Sequence, residues 1–203
     1  MPYTPSQEIL QRYADVLVNY GLGGRDGIAA GDVVRIVANE SAKPLYVELH
    51  RAVWRAGAQA IGNFLPDDDR DGWNLSRDFF ELANDSQLDF FPASYSRGLI
   101  DQIDHQVAVI SSVDKHALED VDPRLIMRSA KAMKPMMDWR TEKENEGRFS
   151  WTLGLYGTPA MAAEAGMSEE EYWQQIINAC FLDDDDPIAR WKDVSDRIDR
   201  YLE

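Results

Sequence analysis

The sequence contains one cysteine, Cys180, and three histidines, His50, His105 and His116. A single thiol excludes an intrachain disulfide and points to a reduced, cytoplasmic setting. None of the histidines sits in an H-E-x-x-H pattern or pairs with another at i, i+4, so no metal centre is readable from them. Basic residues are outnumbered: Lys and Arg total 21 against 36 Asp and Glu, a formal net charge of −15. A surface of that sign repels phosphate backbones and anionic headgroups, so neither nucleic acid nor membrane is expected as a partner. No apolar run approaches the ~18 residues of a spanning helix. The opening MPYTPSQEIL lacks the basic and apolar regions of a secretory signal.

With 203 residues, 44% of them hydrophobic and 28% charged, the chain can bury one sizeable core. Thr4-Pro5-Ser6-Gln7 predicts a helix start, with Thr4 as cap and Gln7 closing a capping box. Ile9, Leu10, Tyr13, Ala14, Leu17 and Val18 follow at helical spacing until the glycines of GLGGRDG stop the helix. Asp32–Ala38 and Ala58–Leu65 predict two strands flanking a helix that Pro44 opens and Gly57 ends, a unit that makes a parallel pair. Further helices are predicted over about 75–83 and 94–103, a third strand over 106–112, and a helix from Asp122-Pro123 to about Met136 that Pro135 kinks or ends. Phe149–Leu155 predicts a fourth strand; Ser168-Glu169-Glu170-Glu171 is a capping box, and Asp186 caps a final helix carrying Ile188, Trp191, Val194, Ile198 and Leu202. Strands alternating with helices predict an α/β domain with an open, mostly parallel sheet layered by helices. The last helix reaches Glu203 with no stop signal, which reads as a cut between domains.

Several stretches invite a chemical reading. GLGGRDG superficially resembles a phosphate loop, but Asp26 stands where the dinucleotide fingerprint needs Gly, and the segment follows a helix instead of a strand. It predicts a helix stop and turn, and with the charge it argues against a nucleotide-binding domain. Asn39–Lys43 falls at the carboxyl edge of the sheet, where open α/β sheets hold ligands; the plainer expectation is a polar cap in which Ser41 or Asn39 satisfies free N–H groups. Asp67–Asp69 and Asp183–Asp186 lack the calcium-loop pattern and read as solvated loop charges, with Asp186 better used as a cap. Cys180 lies beside Phe181 and Leu182 without a basic neighbour to activate it. Ser111 and Ser112 lack G-x-S-x-G. The six tryptophans suit core and interface packing. No catalytic, cofactor-binding or metal residue is assigned on these grounds.

Two stretches in order carry a resemblance. The first is YADVLVNYGLGGRDGIAAGDVVRIVANESAKPLYVELHRAVWRAGAQAI; the second is WTLGLYGTPAMAAEAGMSEEEYW, followed by DDDDPIARWKDV. With Met161-Ala162, Ala165-Gly166-Met167-Ser168, Asp186-Pro187 and Trp191, these are similar to the N-terminal part of the thermophilic metallo-aminopeptidases of the aminopeptidase T and aminopeptidase S type. The turn departs from the family's usual Pro-Thr order, reading Gly157-Thr158-Pro159. The resemblance implies that residues 1–203 form the N-terminal domain of a two-domain enzyme that removes N-terminal residues from peptides. It implies two divalent ions of zinc or cobalt type and a homodimer in the parent. The family's metals are held by Glu, His, Tyr and Asp residues of a C-terminal domain marked by N-x-P-x-G-E, a stretch not found here. No family site residue is therefore carried onto this chain, which is expected to be inactive alone and to serve substrate access and assembly. The alternative is a free-standing binding or scaffold module that holds a small ligand near Asn39–Lys43.

Overall fold

Alternating burial along one β-branched run sets the frame. In a computed structural model, which describes residues 3–202, strand β1 (Val33–Asn39) buries Val34, Ile36 and Ala38 completely and turns Val33, Arg35, Val37 and Asn39 to the other face. It pairs in parallel with β2 (Gln59–Leu65) on one side and β3 (His105–Ile110) on the other. β3 pairs in parallel with β4 (Ser150–Leu155), so the strand order is β2-β1-β3-β4. The open, parallel α/β architecture is the expected one. How the last helix ends falls on Glu203 and the side chain of Leu202, outside the described residues.

The first face of the sheet is fully clothed. Helix α1 (Gln7–Asn19) and α2 (Lys43–Arg55) pack side by side on it, and Tyr13, Leu17, Leu45, Leu49 and Val53 join Val34, Ile36, Val107 and Val109 in one core. Helix α9 (Glu169–Ala179) and the start of α10 (Pro187–Leu202) extend it with Trp173, Ile176, Ile177 and half-buried Trp191. The start of α1 corrects one expectation. Ser6, not Thr4, is the cap, accepting from the Ile9 N–H at 3.3 Å. Gln7 is then the first helical residue, too early to close a box, and its amide donates instead to Glu48 Oε1 at 3.2 Å. The helix ends at Asn19, and the chain then turns back so tightly that a Cβ on Gly27 (φ +80°) would stand 2.6 Å from the Asn19 carbonyl oxygen.

The second face is clothed only in part. Helix α3 (Leu75–Leu82) and a short α4 (Asp85–Leu88), which the periodicity did not signal, lead into α5 (Ala93–Gln102). α6 (Pro123–Ala132) ends before Pro135 as expected, but the chain then re-enters a helix, α7 (Lys134–Asn145), with Pro135 in its first turn. Proline fits that turn because its missing N–H is one no helix uses there. Ile100 of α5 and Met136 and Trp139 of α7, with Ile103 and Phe149 from the segments just after these helices, pack against Val33 and Ile61 at the amino half of the face. Toward the carboxyl end Ile110, Leu153 and Leu155 remain 46%, 51% and 37% exposed. The tryptophans also divide: Trp173 is buried, whereas Trp54 and Trp73 project into solvent, so the core reading does not extend to these two.

Lys143 locks α7 to α5. Its buried ammonium donates to the carbonyls of Ile100 (3.0 Å), Asp101 (3.3 Å) and Ile103 (2.6 Å), where α5 runs out of its own N–H donors. A cation there also meets the negative end of the helix dipole. Lys143→Met fills the same space but leaves those carbonyls unmatched. It is expected to lower stability by about 2 kcal/mol in urea unfolding at neutral pH, while an exposed control, Lys192→Met, leaves the midpoint unchanged.

Candidate functional site

At the carboxyl edge, the ends of β1 and β3 and the loop after β2 enclose a cleft of about 480 Å³ lined by Asn39, Asp67, Asp68, Ser111, Ser112, Asp114 and Lys115. The expected placement of Asn39–Lys43 at this edge holds; the expected capping role does not. Glu40–Ala42 form one 3-10 turn, α2 starts from Ala42 without a side-chain cap, and Asn39 Nδ2 donates to the Pro66 carbonyl at 3.2 Å. Ser41 ties strand ends together instead. Its N–H donates to Asp67 Oδ2 at 2.8 Å, and its hydroxyl lies 3.2 Å from Asp67 Oδ1 and 3.1 Å from the Ser111 carbonyl.

Of the Asp67–Asp69 run only Asp69 is an exposed loop charge; Asp67 and Asp68 are half-buried and held. Burial pushes the Asp67 carboxyl above its ordinary range, opposed by the two Ser41 bonds and helped by nearby Glu40 and Asp68. Asp68 binds the Ser76 N–H (3.2 Å) and hydroxyl, and Asp69 accepts from the Asp71 N–H at 3.0 Å. Asp68 and Asp69 are thus tied to the chain that follows them, and Asp67 to Ser41 before it. Asp114 is held low by the N–H groups of His116 and Arg70. Lys115 pairs with Glu164, and Thr158 Oγ1 donates to the Ser112 carbonyl. Ser111 Oγ is buried on the cleft wall and finds no hydrogen-bond partner among the described residues.

The other candidates scatter. His50, half-buried, has its Nδ1 3.0 Å from the Tyr46 carbonyl; His116 Nδ1 lies 3.2 Å from Glu119. Asp186 caps α10 by accepting from the Ala189 N–H at 2.9 Å. Cys180 follows α9, and burial pushes its thiol up, against a hydrogen bond from Tyr13. Among the described residues, no three His, Cys, Asp or Glu side chains converge as a metal-binding group.

One constellation escaped the sequence reading. At the amino edge of the sheet, His105 Nε2 is 3.0 Å from Asp32 Oδ2 and its Nδ1 is 2.8 Å from Ser150 Oγ. An ionised Asp32 only accepts, so Nε2 carries a proton, and in the neutral ring Nδ1 then accepts from the Ser150 hydroxyl. The Gly23 N–H in turn donates to Ser150 Oγ at 2.9 Å. The Gly23 bond takes one of the two acceptor lone pairs of Ser150 Oγ and holds the hydroxyl between the turn after α1 and the His105 ring. The line is a clasp binding the starts of β1, β3 and β4 to the turn after α1. No local signal announces it, because its members lie 73 and 45 residues apart. Burial raises the Asp32 carboxyl, but the Ala29 N–H (2.6 Å) and His105 outweigh it, and the group sits below its ordinary value of 3.8. The stabilisation from this depressed pKa is therefore present above pH 3.8 and lost as pH falls through the folded-state value. Asp32→Asn is expected to cost about 1 kcal/mol at neutral pH. Its difference from wild type should shrink in urea unfolding near pH 3.

The class so defined is an open parallel α/β domain with a polar cleft at its carboxyl edge, and its described residues gather no group of three metal-binding side chains. Comparison with known proteins is more specific. Residues 6–203 match the thermophilic metalloprotease (M29) family, and the chain belongs to it. It is 26% identical to aminopeptidase 2 of Geobacillus stearothermophilus, with 96% of this chain and 47% of that protein covered. It is 28% identical to aminopeptidase T of Thermus thermophilus, with 90% and 45% covered. The chain thus spans about half the length of the curated relatives it matches. The solved structure of wild-type AmpT from Thermus thermophilus shares the fold, with a TM-score of 0.64 at 24% identity over 85% of this chain and 42% of that one.

Proposed function

We propose that residues 1–203 form the N-terminal α/β domain of a two-domain, metal-dependent aminopeptidase that removes N-terminal residues from peptides. The carrying observation is the pairing of two lengths: nearly all of this chain aligns, and it fills only 45–47% of aminopeptidase 2 and aminopeptidase T. The family name implies a metal, yet the described residues offer no group of three ligands to hold one. The fit fails, so no step of hydrolysis is assigned to this domain. On this reading the two divalent ions, of zinc or cobalt type, belong to residues outside it, and the domain serves substrate access and assembly in a cytoplasmic homodimer. The lone half-buried cysteine supports the reduced compartment.

A second reading, a free-standing small-ligand module, draws on the carboxyl-edge cleft and its unpartnered Ser111 hydroxyl. The two separate cleanly. With cobalt or zinc added, the 203-residue chain is expected to leave leucine p-nitroanilide intact, while the product of its complete reading frame, carrying N-x-P-x-G-E and later histidines, hydrolyses it. Turnover by the chain alone overturns the division of labour, and a reading frame that stops at Glu203 favours the module.

A further inference from the structure

The second face of the sheet holds two arginines that reach no carboxylate among the described residues. One row of side chains crosses it in register: Ile61 on β2, Arg35 on β1, Gln106 on β3 and Trp151 on β4. Arg35 donates to Gln106 Oε1 at 3.2 Å. Arg140, reaching over from α7, sets its guanidinium 6.0 Å from the Trp151 ring centroid, and its Nε is buried with no partner among the described residues. In a chain with 36 acids this is anomalous. The other half-buried arginines all reach a carboxylate: Arg12 with Glu8 (2.8 Å), Arg70 with Glu119, Arg77 with Glu81 (3.9 Å) and Arg128 with Asp85 (2.6 Å). The acid one turn further along α7, Glu144, is engaged by the Trp151 indole N–H at 3.0 Å. Burial lowers the Arg35 pKa, Tyr95 opposes it, and the Arg140 charge adds a smaller lowering.

The pair borders the unclothed part of the face. Ile110, Leu153 and Leu155 stand exposed there and line an apolar hollow of about 510 Å³ that wraps the free edge of β4. Parallel sheets are almost always covered on both faces. Whatever covers this one seals two guanidinium groups from water, which is costly unless a carboxylate arrives with it. A second copy of a chain carrying −15 would bring broad repulsion to the same contact. We infer that Arg35 and Arg140 form a carboxylate-receiving pair, and that the carboxylate comes from an Asp or Glu of the catalytic half of the polypeptide as it docks on Ile110, Leu153 and Leu155. The choice of occupant rests on the aminopeptidase reading; the carboxylate site does not.

The test uses acetate as the probe and the 203-residue chain. The indole N–H resonance of Trp151, assigned with Trp151→Phe, is followed by NMR as acetate replaces chloride at constant ionic strength. A saturable shift is expected, half-complete on the order of 10 mM, weakened about tenfold in Arg35→Gln and Arg140→Gln, retained in Arg140→Lys and unchanged in the exposed Arg197→Gln. An unsaturable shift, or one that survives both Gln variants with their folded spectra intact, overturns the site. Micromolar capture of acetate makes a free small carboxylate the ligand and overturns the docking role. Sedimentation of the same samples should show a monomer; a dimer that Arg35→Gln dissociates assigns the face to a second copy instead. A positive titration with a reading frame that stops at Glu203 removes the aminopeptidase reading and its docking segment, and leaves the carboxylate site standing.

Discussion

A parallel sheet cannot leave either face to water cheaply, and this constraint organises the molecule. Its strands are read in one direction, so every return passes over a face and brings a helix with it. On the first face the one return, α2, is joined by helices from outside the strands, α1 before β1 and α9 and α10 after β4, and together they close a core in which Val34, Ile36 and Val107 have no exposure. Even the edge is managed there. The Tyr13 hydroxyl, rooted in that core, accepts the outward N–H of Leu155 at 2.8 Å, so the end of β4 lacks a bare donor. Burial drives the Tyr13 phenol well above its usual range, and the Leu155 N–H opposes that rise because it favours the ionised form.

On the second face the returns fall short, and polar anchors take over. α5 and α7 cover only the amino half, and their grip depends on Lys143 at the end of α5. That anchor also positions a second residue of α7. Residue 140 lies about one turn before 143, so fixing Lys143 also fixes where Arg140 meets Trp151. The clasp of Asp32, His105 and Ser150 works on the same principle at the starts of the strands. Where apolar area is too small to define position, charged hydrogen bonds define it.

Local chemistry is legible in the sequence to the extent that it is local. The Ser168 capping box forms as read, with the Glu171 side chain returning to the Ser168 N–H, and Asp186 caps α10. Thr158 caps the small-residue helix α8 (Pro159–Glu164), after which Gly166 turns at φ +67°. The errors share a cause. Thr4 and Ser6 both suit a cap, and spacing alone does not choose between them; the engagement of Gln7 by Glu48, 41 residues away, shows what the settled register serves. Pro135 reads as a stop because proline ends a helix and opens one with equal ease. Ser41 reads as a cap because Asp67 and Ser111 enter its surroundings only when three strand ends meet. Strand order, the His105 clasp and the Arg35–Arg140 pair are all products of that meeting.

Function follows the same division between local and assembled. A sequence motif for hydrolysis would be local, and the chain has none; what it has is an order of weak landmarks shared with the M29 family over residues 6–203. The structure explains how such landmarks persist without chemistry. Gly157 precedes the turn into α8 where a Cβ would stand 2.9 Å from the Tyr172 ring and 3.0 Å from the Trp173 indole nitrogen, and that same indole N–H donates to the Gly157 carbonyl at 3.1 Å. The small-residue segment is thus a packing joint that seats a buried tryptophan beneath the end of β4. The joint also sets Tyr172, which lines the apolar hollow at the free edge of β4 together with Leu153 and Leu155.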